Sequence, residues 1–152
     1  MVMTFLDGDG FIFPGALAIA ESENKESWSW FLSNVRTAFH IEDGGQGLVF
    51  LTDREKGIDA AIKTIIPSAC HSFCVYHMEK NVKVTFQTTP NGLLFDAAYA
   101  VTQESFEEAI GKMRLLHSGA AEYVEKIDKK SGPGRYSQHV ASGMLLLTSR
   151  SR

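Results

Sequence analysis

The first forty residues show the pattern of a β-hairpin followed by an amphipathic helix. Two apolar-rich runs, Val2 to Leu6 and Phe11 to Glu21, are joined by Asp7-Gly-Asp-Gly10, and Asp-Gly pairs supply the positive φ that tight hairpin turns need. Ser22 or Asn24 then offers an N-cap for a helix of about four turns. The apolar positions at helical spacing are Trp28, Phe31, Leu32, Val35 and Phe39.

The next fifty residues continue the alternation of strand and helix. A short apolar run, Leu48 to Leu51, is typical of a strand that is covered on both faces of a sheet. Gly57 to Ile66 has a helical pattern, which Pro67 stops. Ala69 to Val75 predicts another short strand, and Tyr76 to Phe86 another helix. This order favours an α/β fold with a mixed sheet flanked by helices.

The remainder of the chain is helical in pattern until the periodicity stops. Leu93 to Lys129 predicts a pair or trio of helices, which form a helical C-terminal extension. The candidate caps and the break in this pattern are Thr102, Ser105 and His117-Ser-Gly119. The run Met144-Leu-Leu-Leu147 leaves little room for a further element. We therefore expect residues 131–152 to form an irregular or disordered tail.

Composition and charge narrow the class of protein. The 152 residues are 44% hydrophobic and 22% charged, which suits one globular domain with a buried core. The formal net charge of −3 does not indicate nucleic-acid binding by the whole surface, so any DNA contact must be local. No apolar run is long enough to span a bilayer and the N-terminus lacks a signal-peptide pattern, so we expect an intracellular protein without membrane contact.

Asp53 is the first candidate for chemistry because it comes directly after the predicted strand, which consists of the apolar run Leu48 to Leu51 followed by Thr52. A carboxylate at the end of a buried strand is held in place by the neighbouring strands, and a hard cation such as Mg²⁺ prefers oxygen ligands of this kind. The alternative is that Asp53 caps the helix that follows the strand.

The second candidate is the cluster of Cys70, His71, Cys74 and His77, which places four possible zinc ligands within eight residues. Structural zinc sites usually take ligand pairs from two separated segments, and no second Cys/His cluster occurs in this chain. Two alternatives stay open. In the first, the cysteines are small buried groups, and His77 opens a helix and hydrogen-bonds across the strand end. In the second, Cys74 is a nucleophile that His77 assists.

Charged residues outside these candidates follow two patterns. Glutamates on the C-terminal helices are typical of solvated helix faces. These are Glu104, Glu107, Glu108, Glu122 and Glu125. A modest basic face, suited either to solubility or to phosphate contacts, would be formed by Arg54, Lys63, Lys80 and Lys83.

The chain contains four informative segments, which are in order Asp7 to Leu32, Leu48-Val-Phe-Leu-Thr-Asp-Arg-Glu-Lys-Gly57, His71-Ser-Phe-Cys-Val-Tyr-His77 and Phe95-Asp-Ala-Ala-Tyr-Ala100. Together they resemble the transposase domain of Mutator-like elements (MULE). The resemblance spans about residues 5 to 130, and no single short motif carries it.

This resemblance implies a ribonuclease-H-like core of the DDE superfamily, in which three acidic residues bind two divalent metals, usually Mg²⁺, and cut and join DNA at transposon ends. Asp53 matches the second catalytic acid of the family. Cys74 and His77 match its C-x2-H pair, with a role in structural support of the site or an optional metal contact. The partner implied is DNA, and the location implied is the nucleus in a eukaryote and otherwise the cytoplasm.

The chain departs from the family pattern at the other two acids. The first lies in an Asp-Gly-Thr-like motif on a strand that would precede Met1, and the turn residues Asp7 and Asp9 do not replace it. The third follows a segment of which His139-Val-Ala-Ser-Gly-Met144 is a faint echo, with Leu145-Leu-Leu147 where a glutamate is expected.

We therefore expect a truncated, catalytically inactive transposase fragment. Residues 1–90 would form an incomplete ribonuclease-H-like sheet that lacks its first strand, and residues 91–130 a helical segment of the same domain. Stable cofactor binding is not expected, whereas self-association through an exposed sheet edge is. Two alternatives remain, a transposase-derived DNA-binding or transcription-regulatory protein and a zinc-binding adaptor built on Cys70, Cys74 and His77.

Overall fold

The computed structural model describes residues 1–6, 9, 11–53, 57–90, 92–131 and 144–148, of which residues 128–131 and 144–148 are described by backbone alone. The described residues form five strands and six helices, which confirms the α/β class. They divide into two compact units, one of Met1–Phe73 with Val140–Arg152 and one of Cys74–His139. The expected division at residues 90 and 91 stays a prediction.

The strands and two of the helices belong to the first unit. Its strands are β1 (Val2–Leu6), β2 (Ile12–Leu17), β3 (Val49–Thr52), β4 (Cys70–Phe73) and β5 (Met144–Thr148), and its helices are α1 (Lys25–Ala38) and α2 (Ile58–Ile65). The second unit consists of α3 (Val75–Phe86), α4 (Leu93–Ala98), α5 (Gln103–Leu116) and α6 (Ser118–Ser131).

The five strands form one mixed sheet in the order β2-β1-β5-β3-β4. β1 runs antiparallel to β2 and β5, whereas β3 runs parallel to β4 and β5. The predicted hairpin of β1 and β2 is confirmed, although residues 7, 8 and 10 of its turn lie outside the described part. Pro14 lies on β2, at an edge of the described sheet, where a missing N–H is tolerated.

The expectation of an irregular tail is wrong at Met144–Thr148, because this segment forms β5 between β1 and β3. The sheet position between β1 and β3 is therefore occupied by a segment from the expected tail. A five-residue apolar segment close to a chain end becomes a strand when both of its neighbours offer hydrogen-bonding groups, and this condition cannot be read from the segment alone. Residues 132–143 and 149–152, including most of the His139–Met144 echo, lie outside the described part.

The core of the first unit lies between the sheet and its two helices. α1 starts at the predicted N-cap, where the side chain of Asn24 accepts a hydrogen bond from the Ser27 backbone N–H at 2.9 Å. Its apolar stripe packs against residues of α2, β1 and β3. The fully or almost fully buried members of this cluster are Met3, Trp28, Phe31, Leu32, Val35, Phe50, Ile58, Ala61, Ile62 and Ile66.

The second unit confirms the predicted group of C-terminal helices. Thr102 caps α5, and its side chain and that of Ser105 form a reciprocal capping box. The predicted break is real, since α5 ends with His117 as its C-cap and α6 begins at Ser118. In the described part of the chain, no helix is both long enough and apolar enough to cross a membrane.

Gly57 links the first turn of α2 to the start of α1. Its φ of +89° lies in the left-handed region, and a Cβ at this position would meet the backbone of Asn24 and Lys25. Gly47 has a similar φ of +81°, but, its own residue and its two chain neighbours aside, no atom of the described residues lies within 4 Å of the position of its Cβ. The two glycines therefore differ in crowding and share the same kind of backbone conformation.

We predict that Gly57→Ala destabilises the protein more than Gly47→Ala. The left-handed conformation should cost each alanine about 1 kcal/mol, and crowding against backbone should add about 1–3 kcal/mol at residue 57 alone. Urea unfolding followed by circular dichroism measures both values. Equal losses of stability for the two variants would contradict the close approach of Gly57 to α1.

Candidate functional site

Asp53 lies where the sequence predicts it, directly after a buried strand. β3 has a parallel neighbour on each side, β5 and β4. Val49 and Phe50 are both buried, and because consecutive side chains of a strand point to opposite faces, both faces of β3 are covered. Asp53 itself is only 7% exposed. The covered strand that is followed directly by a carboxylate is therefore confirmed.

The alternative role of Asp53 as a helix cap is wrong. The N-cap of α2 is Gly57, and no side chain caps this helix terminus. The positive φ of Gly57 lets the chain enter the helix without an Asp or Ser at that position. Asp53 therefore needs another explanation, and its place at the end of a central parallel strand supports a role in the site.

A network of hydrogen-bonded side chains, here called the His71 network, starts at Thr52, the residue before Asp53. Thr52 Oγ1 and His71 Nε2 lie 2.8 Å apart, and His71 Nδ1 lies 3.2 Å from Asp59 Oδ1. Lys63 Nζ donates to Asp59 Oδ2 at 2.8 Å. The four residues of the His71 network come from β3, β4 and α2.

The partners of His71 assign its tautomer. Asp59 accepts from the Nδ1–H group, so Nε2 carries the lone pair that accepts from the hydroxyl of Thr52. Burial lowers the pKa of His71, and the charge of Lys63 acts in the same direction, against the opposing effect of Asp59. At Asp59, burial acts to raise the pKa, but the hydrogen bonds and charges of Lys63 and His71 outweigh it and lower the pKa.

The order hydroxyl, imidazole, carboxylate is also that of a nucleophilic triad, but the geometry here does not suit that chemistry. Thr52 is fully buried, so its hydroxyl cannot reach a substrate. The arrangement instead ties the end of β3 to β4 and α2, immediately before Asp53. His71 is therefore a positioning residue for the end of the strand.

Sequence reasoning missed this chain of hydrogen bonds because only one of its links is local. The spacing of Asp59 and Lys63, four residues apart on a helix, is visible in the sequence. The link from Thr52 to His71 requires the parallel register in which Phe50 pairs with His71 and Thr52 with Phe73. That register is a property of the sheet.

Cys74 and His77 begin the second unit. Cys74 is the N-cap of α3 and is buried, and His77 lies in the first turn of that helix, as predicted. Within the described residues, His77 Nδ1 is buried without a hydrogen-bond partner, so the expected bond across the strand end is absent at that atom. Cys74 is only 7% exposed, which argues against a nucleophilic cysteine, because such a thiol has to be accessible to its substrate.

The described residues do not assemble a metal site. Nowhere in that part of the chain do three His, Cys, Asp or Glu side chains come together in a group that could hold a metal ion. The zinc adaptor built on Cys70, Cys74 and His77 therefore finds no support there. The described strands on either side of β3 contain no carboxylate that could join Asp53 in holding Mg²⁺: β5 reads Met-Leu-Leu-Leu-Thr and β4 reads Cys-His-Ser-Phe.

Ion pairs occupy much of the candidate basic face. Lys63 is paired with Asp59, and Lys83 with Glu79 at 3.0 Å, each one helical turn away. Lys80 is exposed, and Arg54 lies outside the described residues. Most of the glutamates of the C-terminal helices are exposed, as predicted, and two of them pair with Lys112 and Arg114.

Comparison with known protein families identifies the chain. The family model of the MULE transposase domain matches residues 1–81, slightly more than half of the sequence. The chain therefore belongs to the MULE transposase domain family, which confirms the resemblance seen in its motifs. A comparison with curated proteins finds no match.

The His71 network predicts that the stability of the protein depends on pH. Because the folded state lowers the pKa of His71 below its ordinary value of 6.5, the unfolded state takes up the proton first as the pH falls. Stability should therefore be fully present above the ordinary value and decrease below it. The pKa of Asp59, lowered from 3.8, acts only at more acidic pH.

A His71→Gln variant isolates this contribution, since the other four histidines are common to both proteins. Urea unfolding of both proteins between about pH 8 and pH 5 brackets the ordinary histidine pKa. We expect the stability of the unmodified protein to fall more steeply in the acidic half of that range. Parallel curves for the two proteins would show that His71 does not titrate with a lowered pKa.

Proposed function

We propose that this chain is a MULE-type transposase core of ribonuclease-H-like fold that does not cut or join DNA by itself. The observation that carries the proposal is the surroundings of Asp53. The carboxylate lies at the end of a central strand within the family match, and neither described neighbouring strand offers it a second acid. The chain would thus be a member of the family without its catalytic activity.

In the reaction proposed for the intact family, the role of the carboxylate at the position of Asp53 is to hold metal ions. Two cations held by carboxylates stabilise both the attacking and the leaving oxygen of an in-line phosphoryl displacement, while the protein positions them. Asp53 corresponds to the second of three such acids in the intact family. In this chain it would ligate Mg²⁺ only if partner carboxylates were supplied from elsewhere.

The sheet register supports the proposed lack of activity. Thr52, the residue before Asp53, pairs with Leu147 on β5 and with Phe73 on β4. These two positions flank the residue before Asp53, and the residues that follow them in sequence are Thr148 and Cys74. None of the four is a carboxylate. A single carboxylate leaves each cation with too few protein oxygens and too little negative charge.

The topology supports the finer fold assignment. An antiparallel hairpin, β1 and β2, continues into the parallel group β5, β3 and β4 in one mixed sheet, and α1 and α2 share a core with it. A ribonuclease-H-like core with flanking helices is compatible with this arrangement. DNA is the partner that family membership suggests for such a core.

A nicking assay tests the proposed inactivity. The unmodified chain, incubated with supercoiled plasmid carrying transposon-end DNA in Mg²⁺, should leave the plasmid intact, and calorimetric titration with Mg²⁺ should show no saturable binding. Asp53→Asn and the control Asp96→Asn, which changes an exposed carboxylate of α4, should behave like the unmodified protein. Mg²⁺-dependent nicking that Asp53→Asn abolishes and Asp96→Asn preserves would disprove the proposal.

A salt series tests the alternative of a dedicated DNA-binding protein. Each phosphate contact contributes about −0.9 to the slope of log K against log salt concentration. Because Lys63 and Lys83 are already paired with carboxylates, we expect weak binding with a shallow slope. Mobility-shift measurements that gave tight binding with the steep slope of many phosphate contacts would favour the regulatory protein instead.

A further inference from the structure

β5 joins two halves of the sheet that do not otherwise pair. In the described sheet, β1 is hydrogen-bonded to β2 and β5, and β3 to β4 and β5. On one side lies an antiparallel hairpin and on the other a parallel pair. The backbone ladder between these two halves therefore runs entirely through the five residues Met144–Thr148.

The strand that joins the halves comes from a different part of the chain than the strands it joins. β1 to β4 all lie within the first 73 residues, and the family match ends at residue 81. β5 follows the whole helical unit Cys74–His139. One continuous stretch thus builds an acceptor with two open strand edges, and a distant segment supplies the strand that fills it.

The acceptor specifies both the direction and the register of its occupant. Leu146 pairs with Thr4 in the antiparallel ladder and with Leu51 in the parallel ladder. Each flanking strand has a row of N–H and C=O groups that must find partners on this side. A segment such as Met-Leu-Leu-Leu-Thr, without charge, Gly or Pro, has the composition of a strand in the middle of a sheet.

We propose that the space between β1 and β3 is a strand-acceptor site, which β5 fills within its own chain and which β5 of a second copy fills in a strand-exchanged dimer. A second copy is the partner because it carries the same strand with the same pairing register. Exchange of an identical element needs no new contacts, since every ladder bond is re-formed between molecules. The proposal does not depend on the proposed lack of catalytic activity.

Variants of the 152-residue chain at residue 146 test the acceptor site. Leu146→Pro removes the N–H and fixes φ at the centre of both ladders, so β5 should leave the site, whereas the control Leu146→Val keeps the N–H and a strand-forming side chain. The probe is a fluorescent peptide with the sequence of residues 141–150, ASGMLLLTSR. Fluorescence anisotropy measures its binding.

We expect the peptide to bind Leu146→Pro saturably and to bind the unmodified chain and Leu146→Val at least about tenfold more weakly, because apparent affinity falls with the fraction of open sites. A peptide with proline at the position of Leu146 should not bind. Equal affinity for all three proteins would overturn the proposal, as would absence of binding to a Leu146→Pro chain that keeps its helical circular dichroism.

Co-refolding tests the second copy, and it decides the question if Leu146→Pro does not keep its helices. Two differently tagged samples of the unmodified chain are unfolded in urea, mixed and refolded together at high concentration. A dimer that carries both tags is expected from the unmodified chain and from Leu146→Val. Refolding to monomers alone would overturn the exchange, and a mixed dimer formed equally by Leu146→Pro would show that another surface associates.

Discussion

Backbone hydrogen bonding along β5 is the interaction on which the sheet depends. β1 with β2 and β3 with β4 are separate ladders, and the paired strand between them satisfies the inner edges of both. Unpaired N–H and C=O groups in the middle of a sheet would be costly, so this position has to be filled. The first unit is therefore assembled from two distant parts of one chain, Met1–Phe73 and the segment that contains β5.

The position of Asp53 follows from that assembly. β3 has a parallel neighbour on each side, and at its end Thr52 is fully buried and Asp53 nearly so. The hydrogen bonds from Thr52 through His71 to Asp59 attach the same end to β4 and α2. The protein thus keeps a hydrogen-bonded support for a carboxylate, while the sequence of the neighbouring strand β5 contains no acid.

Local signals predicted much of the fold because they act within a few residues. The caps at Asn24 and at Thr102 with Ser105 depend on partners three residues away. The turn between β1 and β2 and the stop at Pro67 were predicted from the dihedral preferences of Gly and Pro. The apolar run before Asp53 likewise predicted a covered strand, and the structure confirms it. The start of α2 at Gly57 was also predicted, but the left-handed conformation with which Gly57, and not Asp53, serves as its N-cap is seen only in the structure.

The sequence by itself determined the order of most elements, the family and the place of Asp53 at the end of a strand, since apolar periodicity and motif residues are written along the chain. Tertiary structure alone decided that Met144–Thr148 is a central strand and that His71 bonds to Thr52 and Asp59. The physical reason is the same in both cases. Strand pairing joins residues far apart in sequence, and its energy depends on the edges that the rest of the fold presents.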